Sequence, residues 1–452
     1  MVIKQLEIAV NGLIALHMKI SERIEGRFGV ASGTLFLIAA TSFIKVIGFL
    51  YKVPLIKALG SFGMGLYQTV FPVFTLFITV CCGGVPSAIT KLIASGENKV
   101  QVLKKSLFIF GGVGLFLSLI LFLLGGKISE LQGNALAKDY YHVISPSIFL
   151  VSIIACFRGY FQGCSNLKPT AITQILEQLV KVTLGISFFY LVDGNYVRKG
   201  FFACLAVTLS ELVALGYIIF LYLSKRGLKQ TPEQTTSVKK ILKFVLPSTA
   251  VLLFLPLASF IDSITAVNEL RTCVGDCATD LYGIYSGGIE ALISFPVSVF
   301  QSMAIGFLPK ISTVNSESKA QKLLAITAVL SFITLILFQI FPLLITKILF
   351  RGFASYTALL VRLIRISGVN VVLLSTLSAT NLLLLSRGKQ LFSLLSMGVG
   401  LAVKALINLT LICLPSVNVF GMVFSSASFY LTALLINLIY LNRKLKFFKI
   451  NK

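Results

Sequence analysis

Stretches of about 20 mostly apolar residues recur along the whole chain, and this repetition limits the possible folds more than any other feature. An α-helix needs about 20 such residues to cross the hydrocarbon of a bilayer. Of the 452 residues, 56% are hydrophobic and only 12% are charged, and the mean hydropathy is +0.93. Because so little polar surface cannot cover a water-soluble globule, the sequence predicts an all-α, polytopic membrane protein.

Twelve transmembrane helices are predicted from these stretches. They lie at 31–52, 66–93, 103–125, 140–162, 170–191, 199–223, 240–266, 281–307, 322–345, 356–384, 391–413 and 418–441. The longest polar connection has the composition of a linker and divides the helices six and six. The predicted organisation is a leader at 1–29, a six-helix lobe at 30–224, a linker at 225–239, a second six-helix lobe at 240–442 and a basic tail at 443–452.

The distribution of Lys and Arg predicts how the helices are oriented. Loops after even-numbered helices carry 17 basic residues, and loops after odd-numbered helices carry nine. Cytoplasmic loops are enriched in Lys and Arg, so both termini are expected in the cytoplasm, with the chain in the cell membrane. The net charge of +24 is scattered over short loops rather than gathered on one face. It therefore does not indicate a nucleic-acid partner.

The two halves of the chain resemble each other at an offset of about 220 residues. Glu97-Asn98-Lys99 aligns with Glu317-Ser318-Lys319, and Val180-Lys181 aligns with Val403-Lys404. Such matches, in order and at a nearly constant offset, predict a duplicated six-helix unit. Two lobes that share an orientation are related by an axis along the membrane normal, with a cavity between them.

Ionisable residues within or beside the predicted spans are the candidate functional residues, because a charge in hydrocarbon must face a partner or a watery cavity. The candidates for substrate binding or gating are Lys45, Lys52, Lys181, Asp262, Glu290, Arg362, Arg365 and Lys404. Lys45 and Lys52 are seven residues, or two helical turns, apart and share one face of the first helix. Lys45 is expected to bind substrate, to pair with Asp262 or Glu290 across the lobes, or to do both.

Several membrane charges also have a purely structural interpretation. Glu177 lies four residues before Lys181, a spacing that favours a local salt bridge. Arg362 and Arg365 share a face of the tenth helix and could extend to the membrane surface. Glu211 is expected to be neutralised by a partner in its own lobe or to be protonated. These alternatives stay open at the level of sequence.

Catalytic and metal-binding patterns are missing from the sequence. The two histidines, His17 and His142, lie in the leader and at a helix edge, and no nucleophile–base pair, carboxylate pair or phosphate-binding loop is found. The eight cysteines lack metal-ligand spacing, and only Cys273 and Cys277 lie in a polar loop where a disulfide could form. A transporter without metal or cofactor is therefore favoured over an enzyme.

Five segments carry a family resemblance. They are Lys45-Val46-Ile47-Gly48-Phe49, the glycine-rich stretch 59–67, Gly83-Gly84-Val85-Pro86-Ser87-Ala88-Ile89, Arg158-Gly159-Tyr160-Phe161-Gln162-Gly163, and 169–178. With these segments the chain resembles the multidrug/oligosaccharidyl-lipid/polysaccharide (MOP) flippase superfamily, within it the polysaccharide-biosynthesis and stage V sporulation protein B-like group. The resemblance implies two lobes around a cationic cavity, alternating access, and movement of an isoprenoid-pyrophosphate-linked saccharide from the cytoplasmic to the outer leaflet.

The favoured hypothesis is a flippase for a lipid-linked oligosaccharide or peptidoglycan precursor, with that lipid and the membrane lipids as partners. Cations suit a pyrophosphate group in a low-dielectric setting. The alternative is a cation-coupled drug antiporter of the same fold, for which Glu211, Asp262 or Glu290 would hold a proton, a sodium ion or a cationic drug. A membrane glycosyltransferase would require a larger catalytic loop than the one at 268–280. The identity of the glycan and of any coupling ion, H⁺ or Na⁺, is left open.

Overall fold

The computed structural model describes residues 29–224, 237–311 and 317–445, and all regular structure within them is helical. The α-helices are α1 Gly29–Cys82, α2 Val85–Ala94, α3 Lys99–Leu131, α4 Lys138–Gly163, α5 Lys168–Leu191, α6 Tyr196–Ser224, α7 Val238–Val274, α8 Ala278–Tyr282, α9 Glu290–Ile311, α10 Glu317–Ile340, α11 Pro342–Leu349, α12 Thr357–Ser386, α13 Gln390–Leu411 and α14 Phe420–Leu445. A π-helical segment, Gly283–Ile289, joins α8 to α9. Nearly all of the predicted leader, and most of the predicted linker and basic tail, lie outside the described residues.

Two helical runs are too long for a single membrane crossing. Of ten stretches long and apolar enough to cross a membrane in the described part of the chain, Ala40–Ala94 has 55 residues and Val238–Ala304 has 67. A straight helix of 55 residues would be about 80 Å long, against about 30 Å of hydrocarbon. Lys45 and Thr75 belong to the same helix α1 but line the same cavity, so α1 doubles back between them. Counting two crossings for each long run confirms the predicted twelve.

The reversals occur where the backbone adopts the left-handed region. Gly60 lies inside α1 at φ 63° and ψ −171°, and Gly275 follows α7 at φ 59°. Glycine adopts these angles without the steric cost that a Cβ would bring. Positive φ angles also recur at matching places in the two halves: Gly60 with Gly275, Ser165 with Gly388, and Gly194 with Asn418. This pairing is what a duplicated six-helix unit predicts.

The predicted helix bounds are wrong at three places, each marked by Gly or Pro. The predicted loop between 53 and 65 is helical on both sides of Gly60. The predicted helix 66–93 is interrupted at Gly83-Gly84, between α1 and α2. The predicted helix 322–345 runs across the break between α10 and α11, where Pro342 lacks the N–H that would continue the helix.

Within each lobe, consecutive helices pack side by side, and the main core extends across both lobes. In the first lobe α3 packs on α4 and α5 on α6, and in the second α10 packs on α12 and α13 on α14. Tyr51 of α1 and Tyr285 of the π-helical segment belong to one buried cluster. Outward-facing apolar side chains are strongly exposed, as Phe108 is at 85% and Leu123 at 74%. Such a surface suits lipid rather than water.

At the turn end of the molecule, defined by Gly60 and Gly275, the backbones of the two lobes touch. A Cβ added to Gly65 would lie 2.1 Å from the carbonyl oxygen of Thr279, and one added to Gly283 would lie 2.3 Å from that of Ser61. Both distances are far below any normal contact, so only glycine permits this approach. We call this contact the glycine seal.

Polar side chains surround the glycine seal. Thr279 Oγ1 donates a hydrogen bond to Asn134 Oδ1 (2.6 Å), and Asn134 Nδ2 donates to Thr69 Oγ1 (2.7 Å). Gln132 Nε2 donates to Ser263 Oγ at 2.9 Å. These bonds link α1 and the α3–α4 connection of the first lobe to α7 and α8 of the second.

At the opposite, linker end, charged side chains take part in the contact between the lobes. Lys240 at the start of α7 forms an ion pair with Glu97, which precedes α3. The ammonium of Lys91 lies over the ring of Phe244, 4.5 Å from its centroid. Backbone approaches backbone here as well, since a Cβ added to Gly84 would lie 2.6 Å from the carbonyl oxygen of Val245, so the linker end combines a close backbone contact with an ion pair.

Candidate functional site

A cavity of about 570 Å³ lies between the lobes and contains most of the predicted charges. Five of the eight candidate residues line it: Lys45, Lys52, Asp262, Glu290 and Lys404. The first lobe contributes only α1 to the lining, and the second contributes α7, the π-helical segment, α9, α12, α13 and α14. The cavity is thus built mainly from the second lobe, with α1 as its opposite wall.

Lys45 crosses the lobe boundary without meeting an acid. Its Nζ donates to the carbonyl oxygen of Ser298 at 2.7 Å and to the hydroxyl of Ser302 at 2.9 Å, both on α9. The predicted pairing of Lys45 with Asp262 or Glu290 is wrong, since Lys45 forms no salt bridge within the described residues. The ammonium is hydrogen-bonded, but its charge has no direct counter-ion in the part of the chain that the structure describes.

Asp262 pairs instead with Lys404, inside the second lobe. Lys404 Nζ and Asp262 Oδ2 are 2.8 Å apart, and their side chains are only 2% and 6% exposed. Ser426 accepts a second bond from Lys404 (2.8 Å), and Asn408 Nδ2 donates to Asp262 Oδ1 (2.7 Å). A buried pair needs such additional hydrogen bonds to offset the loss of hydration. This pair therefore joins α7, α13 and α14 into one unit.

Lys404 is buried because of its place on α13. Ser393, Met397, Gly400, Lys404 and Asn408 are all buried and follow each other at intervals of three and four residues. This spacing defines one helix face, which packs against α14 and α7. Lys404 thus belongs to the inward face of its helix, as its depth in the predicted span suggests.

Lys52 and Glu290 face the cavity from opposite lobes. Lys52 makes no hydrogen bond within the described residues, although its charge interacts with Glu290 and with Lys181. Glu290, the first residue of α9, accepts a bond from Ser286 Oγ at 3.2 Å. With three lysines and two carboxylates in the lining, the cavity has an excess of one positive charge when all are ionised.

The remaining candidates lie outside the cavity. Lys181 on α5 is half-buried, is near enough to Lys52 for the two charges to interact, and does not line the cavity. Arg362 and Arg365 are exposed on α12, whose buried face carries Leu363 and Ile364. Their position agrees with the alternative in which both arginines extend to the membrane surface, and a part in substrate binding stays a prediction.

A second charged cluster occupies the first lobe. Arg158 on α4 donates to Glu177 on α5 at 2.8 Å, so the predicted Glu177–Lys181 salt bridge is replaced by a contact between helices. Glu211 on α6 is buried within hydrogen-bonding reach of Glu177. This neighbour is itself a carboxylate and cannot neutralise Glu211, so both interpretations of Glu211, a neutralising partner in its own lobe and a protonated carboxyl group, stay predictions.

Residues 30–315 match the model of the polysaccharide biosynthesis protein family. The chain belongs to this family. Stage V sporulation protein B of Bacillus subtilis (strain 168) is 28% identical over 308 residues, covering 64% of this chain and 59% of that protein. Lipid II flippase MurJ of the same organism is 26% identical over 452 residues, covering 91% of this chain and 82% of MurJ. The resemblance stated from the sequence motifs is therefore confirmed.

A solved structure establishes the fold of this polysaccharide biosynthesis family member. An inward-facing multidrug resistance MATE family transporter of the MOP superfamily has a TM-score of 0.67 and 16% identity, covering 90% of this chain and 96% of that one. The chain is thus a multi-pass membrane protein with the two-lobe MOP fold. In this member of the polysaccharide biosynthesis family, the central cavity between the lobes is the candidate site.

Sequence reasoning missed the neutral residues that hold the charges of this family member. Ser298, Ser302, Asn408 and Ser426 bond directly to the cavity lysines or to Asp262. The spacing of four between Ser298 and Ser302, and between Lys404 and Asn408, places each pair on one helix face and is a usable signal. Membrane helices carry many such serines, however, so the signal identifies them only after a charge has been located.

Proposed function

We propose that this protein moves an isoprenoid-pyrophosphate-linked saccharide, an oligosaccharide or a peptidoglycan precursor, across the cytoplasmic membrane by alternating access. The observation that carries the proposal is Lys45, an ammonium in the central cavity with no acidic partner in the described residues. The similarity to lipid II flippase MurJ and to stage V sporulation protein B supports it. No bond is made or broken in this process, so no residue is assigned a catalytic role.

The two lysines of α1 suit a diphosphate. They lie about 10 Å apart along the helix axis, and their flexible stems allow both ammoniums to approach one ligand. Hydrogen bonds between ammonium and phosphate are charge-assisted and gain strength where water is excluded. Lys52 has no hydrogen-bond partner in the described part of the chain. A diphosphate would supply the negative charge that the cavity lacks.

The bonds of Lys45 also suggest how binding is coupled to opening. They join α1 of the first lobe to α9 of the second. A phosphate oxygen that takes the Lys45 ammonium removes both of these inter-lobe bonds. Because a ligand shifts an equilibrium only through different interactions with the two states, this exchange favours the state in which the lobes have separated along α1 and α9.

The other predicted residues have supporting roles in this proposal. Lys404 and Asp262 hold the second lobe together, and Glu290 sets the charge opposite Lys52. Lys181 acts through its charge near Lys52, and Arg362 and Arg365 contact headgroups at the membrane surface. We also propose that both termini lie in the cytoplasm, which reporter fusions at the C-terminus and at the 192–195 loop would check.

Transport by reconstituted protein tests the proposal directly. Vesicles containing the full chain and a fluorescent isoprenyl-diphosphate saccharide are assayed for the fraction of lipid that becomes accessible on the opposite leaflet. We expect Lys45→Ala to lower the rate at least tenfold, while Lys127→Ala, which removes an exposed lysine outside the cavity, leaves it within twofold. Unchanged flipping by Lys45→Ala together with Lys52→Ala would contradict the cationic-cavity mechanism.

A cation-coupled drug antiporter remains the alternative because of Glu290, a cavity carboxylate without a salt bridge in the described residues. Asp262 no longer supports that alternative, because its carboxylate is occupied by Lys404. Drug efflux that is measurable with the wild-type protein and lost in Glu290→Gln would favour the antiporter over the flippase.

A further inference from the structure

A second cavity lies beside the central one, within the second lobe. It has a volume of about 260 Å³ and is bounded by α7, α9, α10, α12 and α13. Leu255 lines both cavities, and the adjacent residues Leu374 and Ser375 of α12 line the central and the second cavity respectively. The two spaces are therefore neighbours.

The chemistry of the second cavity differs from that of the first. None of the described residues that line it is charged, whereas five charged side chains line the central cavity. Its polar groups are amides and hydroxyls, among them Gln301, Ser375, Ser378, Asn381, Gln390 and Ser393. The rest of the wall is apolar and includes Phe300 and Met397. Such a mixture binds a neutral ligand that is rich in hydrogen-bonding groups.

Several of these polar groups have hydrogen-bonding capacity to spare. The hydroxyl of Ser375 is buried and has no hydrogen-bond partner among the described residues. Among the described residues, Asn381 Nδ2 bonds only to the thioether of Met397 (3.4 Å), although its Oδ1 accepts from Ser393 (2.7 Å) and from Asn437 (2.8 Å). An unsatisfied buried donor costs about 1–3 kcal/mol, so such groups are normally retained where something completes them. Ser375 is the strongest indication that the cavity receives a ligand.

The position of the cavity relative to Lys45 identifies the ligand. Lys45 bonds to the carbonyl of Ser298, and Gln301 lies three residues further along α9, about 4.5 Å along the helix axis. A diphosphate held by Lys45 would place the group attached to it at the entrance of the second cavity. In a lipid-linked saccharide, that group is the first sugar.

We infer that the second cavity is the subsite for the first sugar residue of the transported lipid, and that this sugar is uncharged. The inference rests on the proposed function. Hydroxyl and acetamido groups of the sugar satisfy Ser375, Asn381 and Gln301, and the C–H face of its ring packs on Phe300. An anionic sugar is disfavoured, because none of the described lining residues is a cation that would offset the cost of burying its charge.

Binding measurements with two ligands test this inference. The full chain in detergent is titrated calorimetrically with a short-chain isoprenyl diphosphate and with the same lipid bearing one N-acetylhexosamine. We expect the glycosylated lipid to bind at least tenfold more tightly. Ser375→Leu, which fills the cavity, and Gln301→Ala, which removes donors without filling it, should each cut that ratio to twofold or less and leave the affinity for the bare diphosphate unchanged. Thr376→Leu, the neighbouring position on α12, should leave the ratio intact.

The outcomes separate this inference from the proposed function. If the wild-type protein binds both lipids equally, or if neither cavity variant changes the ratio, the sugar subsite is wrong while diphosphate binding stands. Equal weakening of both ligands by Gln301→Ala would also overturn the subsite, because it would indicate a general packing defect. If the wild-type protein binds neither lipid, both the subsite and the proposed function are wrong.

Discussion

The glycine seal predicts that a single methyl group will open one end of the transporter. In Gly65→Ala the new Cβ would lie 2.1 Å from the carbonyl oxygen of Thr279, while ordinary contacts begin at 3.4 Å. The two lobes must therefore separate by roughly 1.3 Å at this point, and neither backbone atom can rotate away.

The size of the effect follows from the energy of overpacking. Adding a methyl group to a fully packed contact costs about 1–3 kcal/mol. If the lobes relieve the clash by separating, this energy shifts the ratio of open to closed turn ends about 5- to 150-fold towards open. The polar network of Asn134, Thr69 and Thr279 next to the seal should loosen at the same time.

Distances between spin labels measure this change. One label is placed at Lys57→Cys and the other at Cys277, both exposed at the turn end, in a chain whose other cysteines are replaced by alanine. We expect a population of longer distances in Gly65→Ala. The matched control is Gly112→Ala, because nothing lies within 4 Å of a Cβ added there. A wild-type distance distribution in Gly65→Ala, or the same shift in the control, would refute the reasoning.

Three further predictions concern the charged residues. Lys404→Met leaves Asp262 buried without a counter-ion, so we expect the free energy of unfolding in detergent to fall by about 3–5 kcal/mol. Adding Asp262→Leu should recover most of this loss. No recovery would mean that the two residues do more than neutralise each other's charge. Lys45→Arg should keep at least a tenth of the flipping rate because the charge is retained, and a rate as low as that of Lys45→Ala would show that the point-charge geometry matters. Arg362→Ala with Arg365→Ala should leave the flipping rate within twofold of wild type, because both side chains are exposed outside the cavity. A tenfold loss would indicate that the two arginines contact the substrate during transport.

The fold was largely predictable because each of its features has a local signal. Apolar length marks every crossing, and glycine or proline marks the places where helices turn or break. The missed break before Pro342 had its signal in the sequence, but the apolar run on both sides concealed it. The sequence predicted a loop around Gly60. Apolar length shows where a crossing lies, but it does not reveal that helix continues on both sides of the turn.

The site was predictable only in part, for a physical reason. A charge inside a membrane span must face a cavity or a partner, and from this rule Lys45 and Lys404 were correctly predicted to face the interior. It does not name the partner. Lys45 bonds to a backbone carbonyl, which every residue possesses, and the pairing of Asp262 with Lys404 depends on α7 lying against α13. Arg362 shows the limit of the rule, since a long side chain can satisfy it by reaching the surface.

The two ends of the molecule differ in what can loosen them. At the turn end, the charged side chains that bridge the lobes bond to neutral groups, Asp280 to the Ser61 hydroxyl and Arg271 to the carbonyl oxygen of Gly133, and salt weakens such bonds less than it weakens an ion pair. At the linker end, the Lys240 side chain of the pair with Glu97 is 47% exposed, and salt screens such charges within about 8 Å at physiological ionic strength. In the proposed transport cycle, the ionic composition of the compartment at the linker end would therefore favour opening on that side more strongly than salt favours opening at the turn end.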